Sequence, residues 1–209
     1  VRLAVVIPAV YKVQVLAALE AVRRRLDAGG DPRLELMIPL VGTVEELHLI
    51  RDMIEEEVHN AGRLLEVTVG TMIELPRAAL VAADIARESD FFSFGTNDLT
   101  QTTMGLSRDD AEEAFITHYL RRGLFRRNPF ETIDPAGVGR LIEVAIEEGR
   151  EANPELIVGV CGEHGADPES IDFFHKAGVD YVSCSPPRIP IARLAAAQAA
   201  LRNGARKSD

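Results

Sequence analysis

The chain has 209 residues and a mass of 22.8 kDa, with 46% of its residues hydrophobic and 27% charged. This excludes a disordered chain and supplies one ordinary domain with a large core. The net charge of −10 argues against broad capture of a phosphate backbone, so nucleic acid is not an expected partner. No apolar run approaches the roughly 20 residues of a membrane-spanning helix. The opening VRLAVVIPAVYK carries no leader pattern, and two cysteines cannot staple a fold, so the expectation is a cytoplasmic protein with reduced thiols and no membrane partner.

The first apolar, β-branched run, residues 3–7, reads as a strand. The chain starts without a Met inside that run, which reads as a fragment of something longer. Residues 12–26 follow with a helical pattern and an Arg23, Arg24, Arg25 face. A second strand is expected at 34–41 and a helix at 44–57, where Thr43 and Glu46 have the spacing of a capping box. Residues 65–71 give a third strand, 77–87 a helix, and 91–95 a fourth strand. About 66 residues separate the start of that strand from the start of the fifth at 157–161, so residues 100–134 must hold extra structure. Short helices are assigned there, the clearest at 110–120.

Asp134 and Pro135 mark the start of a helix at 136–151, and Asp167 with Pro168 the start of another at 169–177. A sixth strand is expected at 181–184 and an Ala-rich helix at 189–201, with residues 203–209 fraying. Most of the strand runs are continuous rather than alternating, as in a parallel sheet covered on both faces. The cadence of βα units fits a doubly wound sheet or a (β/α)8 barrel, and six units fall short of the roughly 250 residues of a full barrel. Residues 1–209 read as a single domain.

Parallel α/β folds gather reactive groups at the carboxyl ends of strands. The third run ends in GTMIELPR with Glu74, and the fourth in FGTNDLTQ with Asn97 and Asp98. The fifth ends in GVCGEHG with Cys161, Glu163 and His164, and the sixth in SCSPPR with Ser183, Ser185 and Arg188. Alone, Glu74 reads as an acid near a helix N-terminus and Asp98 as an N-cap. Together they are a pair of hard oxygen ligands of the kind that suits Mg2+. Nothing has zinc-site spacing. Gly95 would allow close backbone approach to a ligand, and the N–H groups of residues 96–98 would form an anion-accepting turn.

Cys161 reads as a buried small hydrophobe, as a protonated thiol able to give its proton to a carbanion, or, ranked lower, as a thiolate served by His164. Cys184, in a Ser- and Pro-rich turn, reads as structural. His48, His59, His118 and His175 fall on helical stretches as solvated or packing residues.

The segments GTMIELPRAAL, DFFSFGTNDLTQ, NPFETIDPAGVGRLIE, VCGEHGADPES and YVSCSPPRIPIARLAAAQAAL resemble the C-terminal PEP/pyruvate-binding domain of the pyruvate, phosphate dikinase family, over nearly the whole chain. The resemblance implies an incomplete (β/α)8 TIM-type barrel whose third to eighth strands lie in this chain. It implies Mg2+ held by Glu74 and Asp98, substrate contacts from Glu74, Gly95, Thr96, Asn97 and Asp98, and Cys161 as proton donor at the methyl carbon with Glu163 and His164 in support. The family's clamping arginines come from the first two barrel strands. The resemblance further implies ATP-binding and phosphohistidine domains in the same full-length chain, a homodimer contact on this domain, and transfer of a phosphoryl group to pyruvate enolate. The fragment alone is expected to be inactive in the full reaction. Two other readings stand beside it: a non-catalytic dimerisation or binding module, and a Mg2+-dependent lyase or aldolase on a similar barrel.

Overall fold

Apolar β-branched runs that can be buried on both faces make the sheet: β1 (Leu34–Ile38), β2 (Val67–Ile73), β3 (Phe91–Gly95), β4 (Ile157–Cys161) and β5 (Tyr181–Val182). The computed structural model describes residues 1–62 and 64–204. All neighbouring strands are parallel, and their spatial order is their sequence order. A doubly wound sheet reverses direction at a switch point, and this one does not, so the arrangement is that of the (β/α)8 barrel. In a flat sheet β1 and β5 would stand about 19 Å apart. The barrel arrangement curls the sheet instead; on its β5 edge burial first and the Glu35 carboxylate second push the Tyr181 phenol above its ordinary value.

Register divides the side chains into two sets. Leu36, Ile38, Val69, Thr71, Ile73, Phe92, Phe94, Val160 and Val182 are linked by direct pairing and alternation on the convex face. Most are buried, with Leu36 and Val182 half-buried, and they form the main core with α3 (Val44–Asn60), α4 (Pro76–Leu80), α5 (Ala82–Ala86) and α9 (Val138–Ala152). The concave face carries Glu35, Met37, Gly70, Met72, Phe91, Ser93, Gly95, Gly159, Cys161 and Tyr181. Small residues there make room for large neighbours: a Cβ at Gly70 would strike the Phe91 ring, and one at Gly159 the Tyr181 ring.

The remaining helices are α1 (Arg2–Val6), α2 (Pro8–Asp27), α6 (Thr96–Met104), α7 (Arg108–Ala114), α8 (Ile116–Arg121), α10 (Pro168–Ala177) and α11 (Ile189–Asn203). The capping box is present, with Thr43 accepting from Glu46 N while the Glu46 carboxylate accepts from Thr43 N. Asp167 caps α10 through Ser170 N, behind Pro168.

Several expectations are corrected. Residues 3–7 do not form a strand, so the described residues hold five strands in place of the six expected. The run is too short for its periodicity to separate helix from strand, and helical bonds from Val5 N to Val1 O and Ile7 N to Leu3 O satisfy its backbone locally. The helix expected at 77–87 breaks at Val81, whose φ of −122° leaves the helical region and lets two short alanine-rich helices bury separate faces. The helix expected at 110–120 breaks likewise at Phe115. The helix expected from residue 136 begins at Val138, because Asp134 ties Ala136 N and Gly137 N into a turn first. The strand expected at 181–184 ends at Val182. Of the residues expected to fray, Asn203 closes α11 and 205–209 lie outside the described residues.

The amino ends of the strands are tied twice in the same way. Arg51 of α3 donates to Glu88 O and Asp90, while Asp90 accepts from Val69 N at 2.7 Å. Arg150 of α9 donates to Gly178 O and Asp180, while Asp180 accepts from Val158 N at 2.8 Å. No helix among the described residues is long and apolar enough to cross a membrane.

Candidate active site

The carboxyl ends of β2, β3 and β4 bring the predicted residues into one row. Gly95 pairs with Cys161, and one step beyond the Ile73–Phe94 pair Glu74 falls beside Gly95. All three share the concave face, with the glycine in the middle. A Cβ at Gly95 would collide with the Glu74 carboxylate and stand 2.8 Å from the Met72 methyl, so close approach requires glycine here.

Glu74 is 2% exposed, and its Oε1 accepts from Leu40 N at 2.7 Å. Leu40, just past β1, has a φ of +56°, an uncommon left-handed conformation for a leucine, in a turn that aims its N–H at the acid. Burial pushes the Glu74 carboxyl above the usual carboxylate range, the Leu40 N–H pulls it back, and the nearby Asp98 carboxylate pushes it further. Asp98 lies in the first turn of α6, where no side chain caps the helix. Its Oδ1 accepts from Gln101 Nε2 at 3.1 Å, and Gln101 Oε1 accepts from Arg108 N at 2.7 Å, which ties the acid to the start of α7.

The Cys161 thiol lies 3.4 Å from the Ser93 hydroxyl and 3.6 Å from the Phe94 carbonyl. Burial raises its pKa, Ser93 opposes the rise, and the Glu74 and Asp98 carboxylates add to it. The thiol therefore holds its proton more tightly than an ordinary cysteine does. Past it, Gly162 turns the chain with a φ of +117°, a conformation that suits glycine, beneath the Thr96 hydroxyl. Thr96 Oγ1 stands 3.0 Å from the Cys161 carbonyl, and Asn97 Oδ1 accepts from Glu163 N at 3.4 Å. The Glu163 side chain is exposed. His164 is fully buried, with Nδ1 2.8 Å from Thr96 Oγ1 and Nε2 2.9 Å from Pro129 O, and burial pushes its pKa down.

Glu74, Gly95, Thr96, Asn97, Asp98 and Cys161 thus meet at one rim, with Glu163 outside it and His164 behind it. Of the SCSPPR residues, the Ser183 backbone packs against Gly165, Ser185 accepts from Arg188 N in the turn, and Arg188 is exposed. Cys184 packs on the small cluster of Ile171, Ala192 and Ala195. Three residues at the rim escaped sequence reasoning: Ser93, Gln101 and Tyr181. Ser93 lies two residues before Gly95, hence on its face of the strand, and Gln101 one helical turn after Asp98, so both spacings carried a signal.

The donor set fits Mg2+. No group of three or more potential metal-binding side chains occurs among the described residues, but Mg2+ needs only one or two protein carboxylates, with water and substrate filling the remainder. A buried acid beside a second acid is an arrangement that a divalent cation would relieve.

The chain is also similar to known proteins. The chain is 50% identical over 207 residues to pyruvate, phosphate dikinase of Clostridium symbiosum, covering 97% of this chain and 24% of that protein. It is 52% identical over 201 residues to the chloroplastic pyruvate, phosphate dikinase 1 of Arabidopsis thaliana, covering 94% of this chain and 21% of that one. It therefore spans under a quarter of the length of these relatives. Among solved structures, a citrate lyase of Burkholderia xenovorans superposes with a TM-score of 0.55 at 16% identity, over 85% of this chain and 53% of that one, a likeness of fold alone. Residues 1–201 match the family described as PEP-utilising enzyme, PEP-binding domain, and the chain belongs to that family.

Proposed function

We propose that the chain is the pyruvate/PEP half-site of a pyruvate, phosphate dikinase, a transferase in which enolate forms and is protonated at this rim. The observation that supports it most is the row Glu74–Gly95–Cys161, in which a thiol with a raised pKa and a buried acid flank a glycine. Cys161 gives its proton to the methylene carbon of the enolate and takes one back in the reverse direction. The Ser93 hydroxyl then faces the thiolate. Gly95, Thr96 and Asn97 line the substrate position, with the first N–H groups of α6 directed at an anion. Glu74 and Asp98 would hold Mg2+, which when bound supplies positive charge against the enolate oxygen. Glu163 and His164 support the thiol loop from outside and behind. ATP-binding and phosphohistidine domains of the same full-length chain, cytoplasmic residence and a homodimer belong to the same proposal.

In the full-length enzyme, pyruvate methyl protons exchange with solvent in the presence of Mg2+, and Cys161→Ala abolishes the exchange while leaving the thermal melt unchanged. Exchange undiminished in that variant would overturn the proton-donor role.

A further inference from the structure

Both ring nitrogens of His164 are engaged, and neither engages the thiol. The Pro129 carbonyl can only accept, so Nε2 carries the hydrogen. In the neutral ring that burial enforces, Nδ1 is a lone pair facing the Thr96 hydroxyl. The same hydroxyl stands within reach of the Cys161 carbonyl, so its one hydrogen has two acceptors. The sulfur finds its own partners on β3, at Ser93 and Phe94.

Pro129 belongs to the segment between β3 and β4, which has a small core of its own. Ala111, Ile116 and Phe130 are buried there, joined by Phe115 and Phe125. Beside it opens a cleft of about 410 Å³ lined by Met104, Phe125, Pro129 and Ile133. His164 therefore bridges an independently packed segment, the first residue of α6 and, through Thr96, the backbone that carries the reactive sulfur.

We propose that His164 is a positioning residue: its Nδ1 and the Cys161 carbonyl share the one hydrogen of the Thr96 hydroxyl, so the imidazole, anchored to the Pro129 loop, sets how tightly Thr96 holds the Cys161–Gly162 turn and hence where the thiol points. The kinetic consequence rests on the pyruvate/PEP reading, and the positional one does not. Asparagine at 164 places an amide oxygen near Nδ1 and keeps the Thr96 bond. Glutamine places its amide near Nε2 and keeps only the Pro129 bond.

The test is the rate of Cys161 alkylation by iodoacetamide in the 209-residue chain, followed by peptide mass mapping so that Cys184 is counted apart. His164→Gln is expected to change that rate by about fivefold, the scale of one lost hydrogen bond, while His164→Asn stays within about twofold of wild type. Thr96→Val, which removes the hydroxyl from both acceptors, is expected to change the rate at least as much as His164→Gln, and the double variant to do no more than Thr96→Val. If His164→Gln does not fold, Thr96→Val carries the comparison with His164→Asn. Equal rates in all variants, or an asparagine variant as perturbed as the glutamine or valine one, would sink the proposal. In the full-length enzyme, His164→Gln is expected to lower kcat for methyl exchange with KM unchanged. Exchange that survives Cys161→Ala defeats the pyruvate/PEP reading and leaves the alkylation pattern standing.

Discussion

At the scale of single residues, the site depends on an atom that is missing. Gly95 has Glu74 on one side and Cys161 on the other, and a methyl group there meets the buried carboxylate. Gly95→Ala is expected to cost about 1–3 kcal/mol in urea unfolding, the usual penalty of overpacking, and to abolish methyl exchange. His164 sets the acid limit. Burial depresses its folded pKa and the Arg108 charge adds to the fall, against smaller upward effects from the Pro129 carbonyl, Asp167 and Glu163. A depressed imidazole contributes stability that is present above the unfolded value of about 6.5 and is lost as pH falls, because the unfolded chain takes up the proton first. Melts of wild type between pH 7 and 5 should therefore show a falling midpoint, and His164→Asn should flatten that slope. Glu74, Asp98 and Cys161 were legible in the sequence because a charged or reactive side chain ending an apolar run has few other reasons to be there. Ser93 and Gln101 were legible only by their spacing from Gly95 and Asp98, since by type a serine in a strand and a glutamine in a helix look ordinary.

At the scale of elements, β3 and β4 have the bounds the sequence predicts, because both are continuous apolar runs ended by glycine or by a polar turn. Residues 3–7 look equally strand-like yet are helical as far as Val6, since five residues of composition do not say whether a neighbour offers a ladder. The breaks at Val81 and Phe115 were hidden for a related reason, because each lies inside a sound helical pattern and is made by packing. The twin Arg–Asp ties act between elements rather than within them. Removing Asp90 leaves Val69 N without its 2.7 Å partner and Arg51 with one fewer acceptor. Asp90→Ala is expected to lower stability by about 1–3 kcal/mol in urea, with methyl exchange at folded temperatures unchanged. The helix cap is a smaller matter, and Thr43→Ala should cost about 1 kcal/mol by the same measurement.

At the scale of the whole molecule, the curled sheet has a packed back and an open front. The back is sealed by helices, while the front leaves Met37, Ile157 and Tyr181 exposed around the row that ends in Glu74 and Cys161. Ligands that occupy the front bind the folded chain alone, so they should stabilise it by mass action. Mg2+ with pyruvate at a hundredfold excess over Kd is expected to add about 2.7 kcal/mol in wild type, and Glu74→Gln should abolish the gain. The strand order was half legible: the sequence supplied the alternation of strand and helix, but only the register showed that the order never reverses.

The Arg–Asp ties secure the amino ends of the strands, and the reactive groups occupy the carboxyl ends. The ties and the reactive groups are therefore different sets of amino acids, separated by the length of a strand. Substitutions chosen from the two sets should combine additively, so a heat-tolerant variant could be selected at the floor of the domain without retuning its mouth.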